Sequence, residues 1–275
     1  MTGPGRGARL AYATYAVVIM AILYLPLVAA GFASASRGRF LSFPIRRYTW
    51  DWYISAWQSE TIAQLVVTSL KVAISSSLIA VLIGFFAALA FARYQWRFRG
   101  LFQKLVLLPI IFPQAVLGLA LLLWFNALGI APSWKTAVVA HTLWTAPIAT
   151  LIIAIRAYSF DPALEAAARD LGASPQQVMR LVTVPLLAPG LVTAWLFAFL
   201  LSWGNFPLSA FTTGVDQTLP EWLYGRMVSG YTPLVPAVGM LTIAASLGTL
   251  VTVAGLLVGL RAIRRRQPRP QARSD

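Results

Sequence analysis

The chain has 275 residues, 59% of them hydrophobic and only 11% charged, with ten tryptophans, a formal net charge of +14, no cysteine and one histidine. That balance lies outside the range of soluble domains and within the membrane class. It excludes disulfides, thiolate metal sites and thiol catalysis, and a lone His141 excludes a multi-histidine metal centre.

The charges leave six clean gaps, at 10–36, 72–92, 105–134, 136–155, 181–215 and 227–260. A helix needs roughly 20 residues to cross the hydrocarbon core, and a charge at a span centre costs roughly 2.5–3.5 kcal/mol. The expectation is an all-α integral membrane protein with six transmembrane helices, near 10–33, 72–92, 105–130, 136–156, 186–212 and 235–260. Residues 1–9 precede them and a basic tail, 261–275, follows. Fifteen lysines and arginines fall on the side of the termini and six on the other, with Lys71 left at a span edge. By the positive-inside rule both termini are expected in the cytoplasm. The tail "RAIRRRQPRPQARSD" then reads as a solvated, partly lipid-facing segment rather than a nucleic-acid arm. The first span, though followed by Ala33-Ser34-Ala35, is longer than the roughly 7–15 residues of a signal core, and is expected to be retained.

The first outer loop, 37–61, carries "SFPIRRYTWDWYISAW", an aromatic belt of the kind found at membrane interfaces. The second span holds Ser75, Ser76, Ser77, Gly84 and several alanines, small residues that let helices approach closely. Pro109, Pro113 and Gly118 predict a kinked third span, with Gln114 and Asn126 available to line a pathway. His141, in the fourth span, is expected to be a hydrogen-bonded packing residue rather than a proton relay. No span holds an acid and no internal repeat stands out, which weighs against the alternative class, an ion-coupled secondary transporter or channel. The chain has no Walker A run, and "GASPQ" lacks the closing glycine of a nucleophile elbow, so neither ATP hydrolysis nor serine catalysis is expected of it.

The cytoplasmic loop 157–185 is the most informative stretch. Asp161 suits an N-cap and Pro162 the first helical position, "ALEAAARDL" follows, and Gly172 supplies a left-handed stop. Ser174, Pro175 and Gln177 form a second start with a capping box, leading to Pro185 and the fifth span. A short, capped helix over 161–173 cannot bury much within its own chain, and is shaped to dock on another protein.

"LEAAARDLGASPQQVMRLVTVPLLAPG" resembles the EAA loop of permease subunits in binding-protein-dependent ABC importers. Gly172 fits the motif glycine, Val182 its aliphatic position and Val184-Pro185 its Leu-Pro. Six residues before Gly172 the motif calls for glutamate; this chain has Ala166, with Glu165 one place earlier. Residues 201–239, "LSWGNFPLSAFTTGVDQTLPEWLYGRMVSGYTPLVPAVG", resemble the spermidine/putrescine permease group, although Gly204 stands where those permeases often carry aspartate. The resemblance implies a type I ABC importer permease in the bacterial inner membrane. It implies a second permease subunit, a pair of ATPase subunits that bind the ATP and magnesium, and an external solute-binding protein. It also assigns ATPase coupling to Glu165, Ala166, Ala167, Arg169, Asp170, Gly172, Ala173 and Pro185. Gln114, Asn126, Trp203 and Asn205 are the candidates for the translocation pathway, with no catalytic or metal residue expected.

Overall fold

A computed structural model describes residues 5–38 and 44–266. These form two compact units, one of residues 5–38, 44–62 and 223–245, the other of 63–222 and 246–266. Five helices are long and apolar enough to span a membrane, and a sixth span results if one sharply bent pair is counted as one. Among the described residues the only β pairing is an isolated bridge between Ser36 and Tyr48.

In the first unit, α1 (Arg6–Ser34) is apolar on all sides and almost wholly exposed, as expected of a helix that meets lipid or other subunits rather than its own core. A short hairpin follows, in which Thr49 N–H donates to Ala35 O at 2.8 Å and Arg37 N–H to Arg47 O at 3.0 Å. It leads into α2 (Asp51–Gln58). Gly31 on α1 lies against the Met240 side chain of α12 (Leu234–Arg266). Residues 261–266, expected to begin a tail, are still helical; 267–275 lie outside the described residues.

The second unit is built on a seam of small residues. α3 (Glu60–Arg93), α6 (Trp134–Ser159) and α9 (Val184–Trp203) contribute Ala80, Ala88, Ala146, Ala149, Ala154, Ala194 and Ala198 to one buried cluster around Phe91 and Ile153. With no side chain at Gly84, α3 comes so close to α6 that a Cβ there meets the Thr150 amide nitrogen at 2.9 Å. A second cluster, Leu89, Ala157, Phe160 and Leu187, carries the packing to the end of α3.

Three expected spans are corrected. The third is broken rather than kinked: α4 (Arg99–Leu107) runs into a 3₁₀ turn over 108–111 and then turns 102° into α5 (Gln114–Ala127). Pro113 is the cause, because it holds Phe112 extended (φ −74°, ψ 137°) and so ends the helix before it. The fifth span starts earlier and ends sooner than 186–212, running unbroken from Pro175 to Trp203. α10 (Phe206–Thr212) is a separate helix, capped by Asn205 Oδ1, which accepts from Leu208 N–H at 3.0 Å. The second span, expected at 72–92, extends back to Glu60.

Candidate functional site

The loop between α6 and α9 folds by local rules. Asp161 Oδ1 accepts from Ala163 N–H at 2.9 Å and opens α7 (Ala163–Asp170). α7 ends in a complete Schellman cap: Gly172, at φ 86°, donates its N–H to Arg169 O (2.8 Å), and Ala173 donates to Ala168 O (3.0 Å). Ser174 then accepts from Gln177 N–H while Gln177 Oε1 accepts from Ser174 N–H (2.7 Å), a reciprocal box that starts α8 (Pro175–Val178). Between α8 and α9 the helix widens into a π turn over Met179–Thr183, with Val184 N–H reaching back five residues to Met179 O. Pro185 explains the widening, since its ring crowds the carbonyl four residues before it and it donates no hydrogen bond. Pro185 therefore lies inside a continuous helix and does not mark the start of a span.

Glu165 faces the body of its own chain. It is 7% exposed, accepts from the Thr183 hydroxyl at 2.8 Å and pairs with Arg93 Nε at 3.4 Å. The Arg93 guanidinium in turn lies 4.1 Å from the centre of the Phe160 ring. One carboxylate thus ties α7 to the end of α3 and to the π turn. It is a strut inside this chain, not a side chain presented to a partner. Arg93, Phe160 and Thr183 were not read from the sequence.

The opposite face of α7 is open. Ala167, Asp170 and Gly172 are exposed and Ala173 is half-buried, while Ala166 and Arg169, also exposed, border a cavity of about 570 Å³ that Glu165, Arg93 and Thr183 line as well. Leu164 and Leu171 accompany them, Leu171 at 90% exposure. Ala166, at the motif position for glutamate, is exposed at the rim of that cavity.

The four pathway candidates do not share one lining. Gln114 begins α5 and Asn126 lies near its other end, about 18 Å away along the helix. Asn205 is buried as the cap of α10. Trp203 is buried in a ladder with Phe199 and Trp195, with ring centres 6.2 and 5.6 Å apart. The cap was legible, because Asn-Phe-Pro is a helix start with proline in its first turn.

Beside that cap, a directed chain of hydrogen bonds crosses the second unit. Ser209 Oγ donates to Asn205 O (2.8 Å), so it accepts from His141 Nε2–H (3.1 Å). His141 Nδ1 accepts from Ser202 Oγ (2.7 Å), which accepts from Ser76 Oγ (3.0 Å). The order fixes the Nε2–H tautomer and pins α3, α6, α9 and α10 to one another. His141→Leu strands one bond on each of two serines, and is expected to cost about 1–3 kcal/mol, or a few degrees in melting temperature. Transport by the protein that still folds should be retained. Lost transport at unchanged melting temperature contradicts the packing role.

Two further acids of this unit are also engaged. Asp216 Oδ2 accepts from Trp134 N–H at 3.0 Å, at the start of α6. Glu221, in the first turn of α11 (Leu219–Ser229), accepts from the Thr213 hydroxyl and from both the hydroxyl and N–H of Thr218, at 2.7–2.9 Å.

One broken span, a small-residue seam and a capped helix between α6 and α9 make this a multi-span membrane protein with a short helix set outside its spans. Comparison with known proteins agrees. Residues 80–267 match the family described as binding-protein-dependent transport system inner membrane component. The chain is 29% identical over 236 residues to the spermidine/putrescine transport system permease protein PotC of Haemophilus influenzae, covering 85% of this chain and 91% of that one. It is 30% identical over 203 residues to the putrescine transport system permease protein PotI of Escherichia coli, covering 70% and 72%. A bacterial ABC transporter for the import of the acidic polysaccharide alginate shares the fold, with a TM-score of 0.70 at 15% identity, over 90% of this chain and 94% of that one. The chain belongs to the binding-protein-dependent transport system inner membrane component family. It is a membrane-embedded permease subunit of an ABC importer, and a non-catalytic one.

Proposed function

We propose that this chain forms half of the translocation pathway for a small cationic solute of the polyamine class, received from an external binding protein. ATP and magnesium are bound by a separate pair of ATPase subunits, and both termini lie on the cytoplasmic side with α7. The observation that carries this reading is α7 itself: capped at both ends, braced from within by Glu165, and open on the face that bears Leu171. An ATPase groove that closes on this face moves α7 as a rigid body. The strut to Arg93 and the unbroken helix from Pro175 to Trp203 pass the movement to α3 and α9. The polyamine class rests on the relatives PotC and PotI, both named for polyamine transport. Asp216 and Glu221 are held in capping, which leaves Asp51 and Glu60 as the exposed outer acids, and substrate choice rests chiefly with the binding protein.

Two substitutions of Gly172 test the coupling. A Cβ at this position meets nothing within 4 Å, so only the backbone penalty matters. Valine strains the left-handed conformation by roughly 1–2 kcal/mol, whereas asparagine tolerates it. Tagged wild type and Gly172→Asn should copurify with a P-loop ATPase and a second permease and should support uptake of labelled putrescine or spermidine. Gly172→Val should lose the ATPase. A chain that comes down folded but alone overturns the coupling assignment, and uptake of neither polyamine by the intact system overturns the substrate class.

A further inference from the structure

In the first unit, the hairpin after α1 gathers three arginines. The Ser36–Tyr48 bridge, with Arg37 N–H on Arg47 O, sets Arg37, Arg46 and Arg47 around a concavity of about 480 Å³ that Ser36 and Gly38 complete. All three side chains are exposed, and among the described residues none has an ion pair or side-chain hydrogen bond. The hairpin's surroundings place it at the edge of the bilayer. Arg37 lies three residues past Ser34, the last residue of the all-round apolar α1. On the other side, α2 is tied down by one face, with Tyr53 Oη and Ser34 Oγ at 2.6 Å and Trp52 Nε1–H donating to Ser36 O at 2.8 Å. The other face presents Trp50, Ile54 and Trp57, spaced four and three residues apart and 71%, 53% and 86% exposed. A helix with a tryptophan stripe on its free side lies in the interface, at the depth of the lipid headgroups.

We infer that Arg37, Arg46 and Arg47 form a receptor for the phosphate of an anionic phospholipid headgroup, with Trp50, Ile54 and Trp57 resting on its acyl boundary. Arginine's planar fork matches a phosphodiester oxygen pair, and three unneutralised charges favour a headgroup with a net negative charge over a zwitterionic one. The inference goes beyond the transport role and needs only that the chain is a membrane protein.

Native mass spectrometry of the transporter purified in neutral detergent tests it, with phosphatidylglycerol or phosphatidylcholine added as mixed micelles. Wild type is compared with the Arg37→Gln/Arg46→Gln/Arg47→Gln variant, both retaining the basic C-terminal segment, so that only the loop differs. A basic residue near an anionic surface is worth roughly a five-fold change in affinity, so the triple variant should bind phosphatidylglycerol about a hundred-fold more weakly at this site. Phosphatidylcholine binding should not change. Should the triple variant elute as aggregate, the single Arg46→Gln change carries the test, with a roughly five-fold loss expected. Equal retention of the two lipids by wild type, or phosphatidylglycerol binding unaltered in the variants, overturns the inference. Displacement of the lipid by inorganic phosphate reassigns the site to the free anion, and loss of an acidic external protein without loss of lipid reassigns it to a protein; either result overturns the lipid receptor.

Discussion

Glu165→Ala is expected to lower the stability of the solubilised chain more than any other single change in the coupling loop. The substitution removes the counter-ion of Arg93, whose side chain is only 15% exposed and whose Nε and Nη2 atoms are buried without hydrogen-bond partners among the described residues. Stranding a buried charge in this way costs about 3–5 kcal/mol. The Thr183 hydroxyl loses its acceptor at the same time. Glu165→Gln keeps an acceptor for Thr183 but not the charge, and should fall between the two. Replacing both ends of the pair with apolar residues, Arg93→Met with Glu165→Leu, should recover most of the loss, because neither charge is then left alone. Thermal unfolding followed by size-exclusion chromatography reads all four proteins. A Glu165→Ala chain as stable as wild type contradicts the strut. A double variant no better than the single one shows that the damage lies elsewhere than in the stranded arginine.

The second large effect belongs to Gly84. Its missing side chain lets α3 rest on the backbone of α6, with the Thr150 nitrogen 2.9 Å and the Ala149 carbonyl carbon 3.0 Å from where a Cβ begins. Backbone atoms cannot swing aside as a rotamer can. Gly84→Ala should therefore cost more than the typical overpacked side chain, about 3 kcal/mol or above, and Gly84→Leu should leave little folded protein in the membrane. Gly118 offers a graded comparison, since the Phe211 side chain at 3.1 Å has some freedom to yield while the Pro207 carbonyl oxygen, at 3.2 Å, is less close than the backbone that faces Gly84. Gly100 is the control, with nothing within 4 Å, and alanine there should be neutral or slightly stabilising. Yields of monodisperse protein after detergent extraction give the ranking. Normal yields of Gly84→Leu contradict the close approach of the two helices.

Legibility in the sequence followed range. The caps of α7 and α8 were readable because each depends on residues two to four apart, as in Ser174 with Gln177 or Gly172 with Arg169. The start of α7 was readable in the same way, with Asp161 capping Ala163 N–H and Pro162 in helical conformation between them. Which face of α7 turns inward was not readable, because it is decided by Arg93, seventy-two positions before Glu165, and by Thr183 across the π turn. His141 was expected to be a satisfied packing residue, and the structure surrounds it with Ser202 and Ser209. The pathway candidates fared differently: polarity alone nominated Asn205, and a local capping role claimed it. Prolines announced a kink in the third span, but not its size, a turn of 102° between two separate helices.

The loop that holds the π turn at Met179–Thr183 is fixed in length as firmly as in sequence. Surface connections usually accept an inserted or deleted residue at little cost. Here the count from Gly172 to Pro185 is a phase as well as a distance. One residue removed from the widened turn itself only closes it to an ordinary helix with its flanks in phase, whereas one removed from the regular helix of α8 rotates α7 by about 100° relative to α9. Thr183 then points away from Glu165, and the open face of α7 turns with it. Outside that turn the segment is thus a gauge, tolerant of many side chains and of almost no change in number.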